Sequence, residues 1–338
     1  MKLSLYPFEL KFRYTFTISR KSKDVQPLLV VKLAQDGYHG LGETADNAYY
    51  HMTVPRLMEA IEQHRSFIEG YTLTTPEVFW QDMYPLLRDN MFALCALDIA
   101  AWDLYAKQQQ KKLYEVWNLD ISHNPLTDYT IGIDTVDNMV KKLREFPWPV
   151  YKIKLGTRED IQIIKALRAH TNAVFRVDAN CAWGVDETLS NAIALKELGV
   201  EFIEQPMAAA DTEGMRRVYE KVVLPVIADE SCIVEQDVAR CQGLFHGINI
   251  KLTKCGGITP AIRMITAAKQ AGMKVMTGSM NESTVGTSAV AHLLPLLDYV
   301  DMDGPLLLAE DTADGIRMEN GKIIYADRPG TGAELLSE

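Results

Sequence analysis

Charged residues at nearly equal spacing are the feature of this sequence that most constrains its fold. The row is Lys152, Asp178, Glu204, Asp229 and Lys251, with steps of 26, 26, 25 and 22 residues. Most of these charges end a short apolar run, as in YKIK, FRVD, EFIE and GINIK. A strand, a turn, a helix and a second turn together need about that many residues. Because a (β/α)8 barrel builds its active site at the C-terminal ends of its strands, the row predicts both the fold and the position of a site.

The chain is longer than a barrel alone requires. It has 338 residues, 47% of them hydrophobic, whereas one barrel takes about 250 residues, so we expect roughly 100 residues of additional structure. The net charge of -10 argues against nucleic acid or an anionic membrane as a general partner. The sequence has no apolar run long enough to span a membrane and no recognisable signal peptide. Five scattered cysteines suit reduced thiols in the cytoplasm, and the sequence leaves open whether the chain forms a homo-oligomer.

Residues 1–125 lack the β/α repeat and are predicted to form an N-terminal α+β domain. Alternating apolar residues in KLSLYPFELKF and LLVVKLAQDGYHGLGE predict antiparallel strands, with Asp36-Gly37 as a hairpin turn. Helical periodicity is present over residues 55–68, 76–87 and 93–107, and the last of these segments has the Ala-rich and Leu-rich composition of a buried helix.

The β/α repeat begins near Asp128, and the barrel is assigned to residues 126–313. Strands are predicted at about 128–132, 150–154, 174–178, 201–204, 225–229, 247–251, 274–277 and 299–303. Amphipathic helices fit between these strands, and this alternation implies right-handed crossovers and a parallel sheet. The C-terminal segment, residues 314–338, contains a turn at Asn320-Gly321 and is expected to return to the N-terminal domain.

Three carboxylates end consecutive predicted strands and can converge on one point. Asp178, Glu204 and Asp229 offer only oxygen ligands, which suits Mg²⁺, whereas zinc would favour His or Cys. The alternative is that each acid caps a helix or pairs with a neighbouring lysine. Equal spacing and flanking lysines favour the metal site.

The lysines of the row suit proton transfer. Lys152 and Lys154 share one face of a strand, and Lys251 ends the strand opposite to theirs. A lysine becomes a useful base when its pKa falls, and burial together with Mg²⁺ and another lysine would lower it. Mg²⁺ on a substrate carboxylate stabilises the enediolate formed when the neighbouring carbon loses its proton. Lysines on both faces of that carbon predict racemisation or epimerisation, and the alternative role of Lys251 and Lys254 is to pair with the acids.

Five segments together resemble the muconate-lactonising-enzyme subgroup of the enolase superfamily, and the resemblance covers nearly the whole chain. The segments are Lys152-Ile153-Lys154, Val177-Asp178-Ala179-Asn180, Ile203-Glu204-Gln205-Pro206, Ala228-Asp229-Glu230-Ser231 and the run NIKLTKCGG from Asn249 to Gly257. The resemblance implies a modified barrel, (β/α)7β, with an N-terminal α+β capping domain. It also implies a Lys or His base acting with Mg²⁺.

Residue roles follow from the resemblance by position. Asp178, Glu204 and Asp229 correspond to the Mg²⁺ ligands, Lys154 and Lys251 to the two acid/base catalysts, and Lys152 to a group that holds the substrate carboxylate. The mandelate-racemase branch would require a histidine at the end of the seventh strand. That strand reads KVMT here and has no histidine nearby, which disfavours that branch.

Substrate contacts are implied at three further places. Asp301 and Asp303 in YVDMDG resemble the D-x-D of dipeptide epimerases, whose two carboxylates bind the α-ammonium group of the substrate. Glu282 in TGSMNES resembles a family glutamate near the site, with an N-cap or surface acid as the alternative. Arg20 lies in a predicted mobile loop, residues 17–24, and resembles an arginine that binds an acidic side chain, with a solvated basic loop as the alternative.

The sequence therefore predicts a Mg²⁺-dependent epimerase that inverts the α-carbon of the C-terminal residue of a dipeptide. L-Ala-L-Glu is the expected small-molecule substrate and L-Ala-D-Glu the product, which the resemblance links to murein peptide metabolism. Alternatives on the same site are an N-acylamino acid racemase, an o-succinylbenzoate synthase, a muconate cycloisomerase, or an epimerase for hydrophobic or cationic dipeptides. More distant alternatives are a Schiff-base lyase that uses one lysine as its nucleophile and a barrel that binds an anion or metal without chemistry.

Overall fold

The N-terminal part begins with a three-stranded antiparallel sheet. The computed structural model describes residues 1–337, so Glu338, the last residue of the predicted C-terminal segment 314–338, lies outside the described residues. The strands are β1 (Lys2–Ile18), β2 (Lys21–Gln35) and β3 (Tyr38–Ala45), in the order β1-β2-β3. Asp36 and Gly37 have φ angles of 53° and 82°, so the predicted hairpin turn is confirmed as one that needs left-handed backbone at both positions.

Five helices follow this sheet: α1 (Val54–Glu62), α2 (Arg65–Gly70), α3 (Pro76–Leu87), α4 (Met91–Gln108) and α5 (Leu113–Val116). The prediction of a single helix over residues 55–68 is wrong, because His64 leaves the helical conformation (φ -112°, ψ 11°) and separates α1 from α2. The other two predicted helices are confirmed as α3 and α4. In α4, 15 of the 18 residues are buried, as its Ala-rich and Leu-rich sequence predicts.

Eight parallel strands form the second sheet, in strict chain order. They are β4 (Tyr129–Ile131), β5 (Val150–Lys154), β6 (Val174–Asp178), β7 (Val200–Glu204), β8 (Val226–Ala228), β9 (Gly247–Ile250), β10 (Lys274–Thr277) and β11 (Tyr299–Val300). An isolated parallel bridge between Thr127 and Val300 joins the last strand to the chain just before the first. The predicted barrel is confirmed, because each of the eight strands lies within about two residues of its predicted position, apart from the last, which ends at Val300 rather than at 303.

Helices alternate with these strands, with a short extra helix after β9 and another after β11. They are α6 (Val136–Glu145), α7 (Asp160–Arg168), α8 (Val185–Glu197), α9 (Thr212–Lys221), α10 (Glu235–Cys241), α11 (Leu252–Cys255), α12 (Ile258–Gln270), α13 (Thr284–Ala291) and α14 (Gly304–Leu307). Polar side chains set several helix starts, as where Asn138 N donates to Thr135 Oγ1 at α6. Within residues 1–337, no helix combines the length and apolar character needed to cross a bilayer.

The C-terminal segment forms β12 (Ala313–Asp314), β13 (Arg317–Glu319), β14 (Lys322–Ile324) and β15 (Glu334–Leu335). Its end contacts the N-terminal part, where Glu334 lies 2.9 Å from both His39 Nε2 and Lys107 Nζ. Thr331 N donates to Asp103 Oδ1 of α4 at 2.6 Å. The segment thus ties α4 to the barrel by polar contacts.

Asp98 of α4 makes a second polar connection between the two parts. Its carboxylate is fully buried and accepts hydrogen bonds from Thr259 N at 2.9 Å and Thr259 Oγ1 at 2.7 Å, at the start of α12. Gly257 approaches so closely that a Cβ there would lie 2.3 Å from Asp98 Oδ2. A carboxylate of α4 therefore satisfies the first backbone donors of a barrel helix.

We expect Asp98→Ala to lower the free energy of unfolding by about 3 kcal/mol, because it leaves two buried donors of Thr259 without an acceptor. Urea denaturation followed by fluorescence measures this loss. The matched control is Asp89→Ala, at an exposed position just before α4. Equal unfolding midpoints for the two variants would contradict the structural role of Asp98.

Candidate active site

Three buried carboxylates meet at the C-terminal ends of adjacent strands. Asp178 ends β6, Glu204 ends β7 and Asp229 directly follows β8. One carboxylate oxygen of each lies within 4.8 Å of the others. The parallel sheet brings them together because neighbouring strands are in register at this edge, with Asp178 opposite Glu204.

Neighbouring residues hold each carboxylate in a fixed orientation. Asn180 N donates to Asp178 Oδ1 at 2.9 Å, and Asn249 Nδ2 donates to Glu204 Oε1 at 2.8 Å. Asn180 has a φ of 46° and Gln205 a φ of 32°. Left-handed backbone at two non-glycine residues next to the carboxylates is strain of the kind that functional sites store.

Two lysines contact the carboxylates from opposite sides of the barrel. Lys154 Nζ lies 2.6 Å from Asp178 Oδ2, and Lys251 Nζ lies 2.8 Å from Asp229 Oδ2. Lys154 ends β5 and Lys251 directly follows β9, and these strands lie four apart in the eight-stranded sheet. They therefore flank the space above the carboxylates.

Lys152 lies beneath this space as a buried cation shared by several acids. Its Nζ donates to Asp301 Oδ2 at 2.7 Å and lies 2.8 Å from Glu204 Oε2. The second contact is close in distance but lacks hydrogen-bond geometry, so this buried oxygen of Glu204 receives no aligned donor. A buried carboxylate oxygen with unused acceptor capacity, beside two other carboxylates, fits a hard cation such as Mg²⁺.

Charge pairing and burial compete in setting the ionisation of these acids. Burial alone would raise the pKa of Asp229, but Lys251 holds it well below its usual range. Burial acts on Asp178 in the same way, and Lys154 lowers its pKa. For Glu204, burial prevails and raises the pKa to about 7. Two of the three carboxylates are therefore strongly held as anions.

The sequence predicts a lowered pKa for a lysine that acts as a base. The carboxylates of the site on their own have the opposite effect on Lys251. Burial lowers the pKa of Lys251, but Asp229 raises it above the ordinary lysine value. Binding of a cation by the same carboxylate would weaken this stabilisation of the charged lysine.

Lys254 also pairs with Asp229, but unlike Lys251 it does not line the cavity. Its Nζ is fully buried and lies 2.7 Å from Asp229 Oδ1, while it also donates to the carbonyl oxygens of Asp229 at 2.6 Å and Cys232 at 2.8 Å. With the carbonyl oxygen of Asn249 at 3.3 Å as a fourth acceptor, the N–H donors of this ammonium are all directed at protein oxygens. Lys254 therefore positions Asp229.

A cavity of about 270 Å³ opens above these groups, between the barrel and the N-terminal part. Its polar floor includes Lys154, Asp229, Lys251 and Asp301. The N-terminal part and the loop after β10 add an apolar wall, made of Phe16, Ile18, Tyr50 and Met280. The cavity thus has a charged floor, where the reaction would take place, and an apolar wall.

Arg20 lies in the cavity wall, but its charge is already compensated. Its Nη2 donates to Glu230 Oε1 at 2.6 Å and its Nη1 to the carbonyl oxygen of Asn180 at 3.2 Å. Its guanidinium carbon lies 4.4 Å from the ring centroid of Tyr49. The predicted loop over residues 17–24 is largely hairpin instead, because Ile18 pairs with Lys21 and only two residues turn the chain.

Asp301 and Asp303 have different contacts in the structure. Asp301 lines the cavity, whereas Asp303 accepts a hydrogen bond from Thr130 N at 2.5 Å and does not line it. Strand β11 ends at Val300, so the two-residue alternation that would orient both acids alike does not extend to Asp303. A role for Asp303 in binding the substrate ammonium therefore stays a prediction, and its Oδ1 is buried with no hydrogen-bond partner among the described residues.

Glu282 also lies outside the cavity wall. It is buried, and its Oε2 accepts a hydrogen bond from Met280 N at 2.5 Å. Burial raises its pKa. It therefore shapes the loop after β10, and a direct contact with substrate stays a prediction.

Several residues of the site escaped the sequence interpretation. Lys21 and Lys23 line the cavity, and Glu230 partners Arg20. Glu230 follows a predicted metal ligand directly, and the two lysines alternate in a segment already considered for substrate contact. Those signals could have identified them, although not their partners.

Sequence profiles place the chain in a known group of proteins. Residues 5–117 match the profile of the mandelate racemase / muconate lactonizing enzyme N-terminal domain. Residues 134–338 match the enolase C-terminal domain-like profile. Together the two matches span most of the sequence.

Individual proteins resemble it over nearly their full lengths. The Flavobacterium johnsoniae protein named L-Ala-D/L-amino acid epimerase is 59% identical over 99% of this chain and 100% of its own. The Bacteroides thetaiotaomicron protein named L-Ala-D/L-Glu epimerase is 36% identical over 98% of this chain and 87% of its own. A crystal structure of a dipeptide epimerase from Cytophaga hutchinsonii complexed with Mg and D-Ala-L-Val has a TM-score of 0.94 at 25% identity, over 99% of this chain and 96% of that one.

We expect Lys254→Met to weaken Mg²⁺ binding by about 10- to 100-fold, because the carboxylate of Asp229 loses the donor that orients it. Titration calorimetry of the metal-free protein measures this affinity. Lys269→Met, at an exposed position of α12, is the matched control. Undiminished Mg²⁺ affinity in the Lys254 variant would exclude its positioning role.

Proposed function

The chain belongs to the mandelate racemase / muconate lactonizing enzyme family of the enolase superfamily, and from this premise we propose that it is a Mg²⁺-dependent dipeptide epimerase. It inverts the α-carbon of the C-terminal residue of the dipeptide. The observation that carries the proposal is the placement of Lys154 and Lys251 on opposite sides of three clustered carboxylates. This arrangement suits removal of a proton from one face of a carbon and its return to the other.

The carboxylate floor is proposed to bind the metal and the reacting end of the dipeptide. Asp178, Glu204 and Asp229 would hold Mg²⁺, which supplies positive charge for the negative charge that develops on the substrate carboxylate. Lys152 adds a second buried positive charge beside Glu204 and Asp301. Both charges favour the enediolate, which carries one more negative charge than the substrate carboxylate from which it forms.

The two lysines exchange roles with the direction of reaction. In one direction, neutral Lys154 takes the α-proton while protonated Lys251 donates a proton to the opposite face of the same carbon. In the reverse direction, Lys251 takes the proton and Lys154 donates it. Each lysine remains within hydrogen-bond distance of a carboxylate, which fixes the position of its Nζ.

Asp301 is proposed to select a substrate with a free α-ammonium group. It lines the cavity and keeps its charge, since Lys152 holds its pKa at about 2 against the effect of burial. An ammonium group offers three donors that an ionised carboxylate accepts. This feature favours dipeptides over the N-acyl and lactone substrates of related enzymes, which have no ammonium.

The substrate is proposed to be L-Ala followed by a variable residue, with L-Ala-L-Glu converted to L-Ala-D-Glu. Support comes from the names of the similar proteins, which act on L-Ala-D/L-amino acid and L-Ala-D/L-Glu dipeptides. The apolar wall of Phe16, Ile18, Tyr50 and Met280 also favours uncharged side chains at the second residue. Hydrophobic dipeptides are therefore the second candidate class.

The finer surroundings of the enzyme are also proposals. All five cysteines are free, which suits a reducing compartment such as the cytoplasm. The acidic net charge disfavours nucleic acid as a partner.

Lys154→Met and Lys251→Met should each lower the epimerisation rate by about 10²- to 10⁴-fold, because one face of the α-carbon loses its acid/base group. Mass spectrometry in D2O with Mg²⁺ follows α-hydrogen exchange in L-Ala-L-Glu and L-Ala-D-Glu separately. Each variant should still exchange one epimer, and the two variants should exchange opposite epimers. Exchange of the same epimer by both variants would rule out the two-face mechanism.

Asp301→Asn should lower kcat/KM for L-Ala-L-Glu by about 10- to 100-fold, because the ammonium loses a charged acceptor. The matched control substrate is N-acetyl-L-Ala-L-Glu, which has no ammonium. Its kcat/KM should fall much less in the same variant. Steady-state polarimetry measures both. An equal loss for the two substrates would show that Asp301 does not recognise the ammonium.

A further inference from the structure

We propose that Lys21 and Lys23 form a subsite that binds a carboxylate on a side chain of the dipeptide. The inference rests on the proposed function, because it assumes that a dipeptide occupies the cavity. It names acidic dipeptides as the preferred substrate class. It also moves the recognition of the acidic group away from Arg20.

Strand register directs both lysines to the same place. Lys21 pairs with Ile18 and Lys23 with Phe16 across the first hairpin. Residues two apart on a strand share a face, and both lysines line the cavity. The intervening Ser22 is exposed and does not line it.

The two lysines differ from the other cations of the wall in lacking an acidic partner. Arg20, Lys154 and Lys251 each have a carboxylate oxygen within 2.8 Å. Across residues 1–337, neither Lys21 nor Lys23 has a carboxylate oxygen within the 4.0 Å of an ion pair. Lys23 Nζ instead contacts Gln26 Oε1, which is neutral, and lies 5.3 Å from the ring centroid of Phe12.

An uncompensated positive charge in this position favours an anionic ligand. Burial and the charge of Lys21 lower the pKa of Lys23 to about 7, and burial lowers the pKa of Lys21 as well. Glu282 and then Asp46 oppose the lowering of the pKa of Lys23, and Asp46 opposes that of Lys21, all from beyond ion-pair distance. A substrate carboxylate would supply the charge-assisted hydrogen bonds that the protein withholds.

Arg20 cannot play the same part without a penalty. Its guanidinium is paired with Glu230, whose side chain is only 3% exposed. Turning Arg20 towards a substrate would leave that carboxylate buried and unpaired. Lys21 and Lys23 can bind a carboxylate of the substrate without breaking an ion pair.

Calorimetric titration in Mg²⁺ buffer tests the subsite, with L-Ala-L-Glu and its neutral isostere L-Ala-L-Gln as ligands. The measured quantity is the ratio of their affinities. The ratio should favour the acidic dipeptide in the wild type and fall by about 10- to 100-fold in Lys23→Met or in the double variant with Lys21→Met. Lys23→Arg should restore most of it, and Lys11→Met, at an exposed position of the same hairpin, should keep it. L-Glu-L-Ala against L-Gln-L-Ala identifies which residue of the dipeptide carries the bound carboxylate.

Three results would overturn the proposal. The first is a wild type without preference for either acidic dipeptide, and the second is a lysine variant that loses the neutral dipeptide as strongly as the acidic one. The third is loss of the preference in Arg20→Met with the lysine variants unaffected. Because affinity ratios need no turnover, they are separate from the proposed function, which fails if no dipeptide exchanges its α-hydrogen in D2O.

Discussion

The structure depends on matching buried positive and negative charges at one end of the barrel. Lys152 lies within ion-pair distance of both Asp178 and Glu204, and Lys154 lies within that distance of Asp178. Lys251 and Lys254 both contact Asp229. A buried charge without a partner is costly, so the alternation of acids and lysines allows all of them to be buried together. The same arrangement leaves carboxylate oxygens and amines facing a common space. The pairing that stabilises the charged floor is therefore also what prepares it for a metal ion and for proton transfer.

The N-terminal part completes the site rather than merely accompanying it. Glu43 of β3 is fully buried and accepts hydrogen bonds from Ser283 N at 2.8 Å and Gly286 N at 2.9 Å, at the start of α13. Burial raises the pKa of Glu43 to about 8. The first hairpin reaches over the barrel mouth, where Arg20 contacts Glu230 and a carbonyl oxygen of the loop after β6. In the proposed function, the carboxylates and lysines of the barrel carry out the reaction, and the N-terminal part recognises the substrate side chain.

Much of the fold and of the reaction floor could be predicted because both depend on local periodicity. Strand ends recur with the length of a β/α unit, and parallel strands bring their C-terminal ends to one edge, so the carboxylates and lysines had to meet. Predictions failed where a long-range contact decides. Arg20 and Glu230 are 210 residues apart, and nothing near either residue indicates their pairing. Local alternation also says nothing about Asp303, because β11 ends at Val300 before the alternation reaches it.

The sequence by itself determined the barrel, the clustered acids and the opposed lysines, because spacing and alternation are properties of short segments. Tertiary structure decided which cations have an acidic partner and which do not. Lys254 turns to Asp229, Arg20 turns to Glu230, and Lys23 is left facing the cavity with only a neutral hydrogen-bond partner. The physical reason is that the interaction between two charges depends on their distance in space. The number of residues between them in the sequence does not indicate that distance.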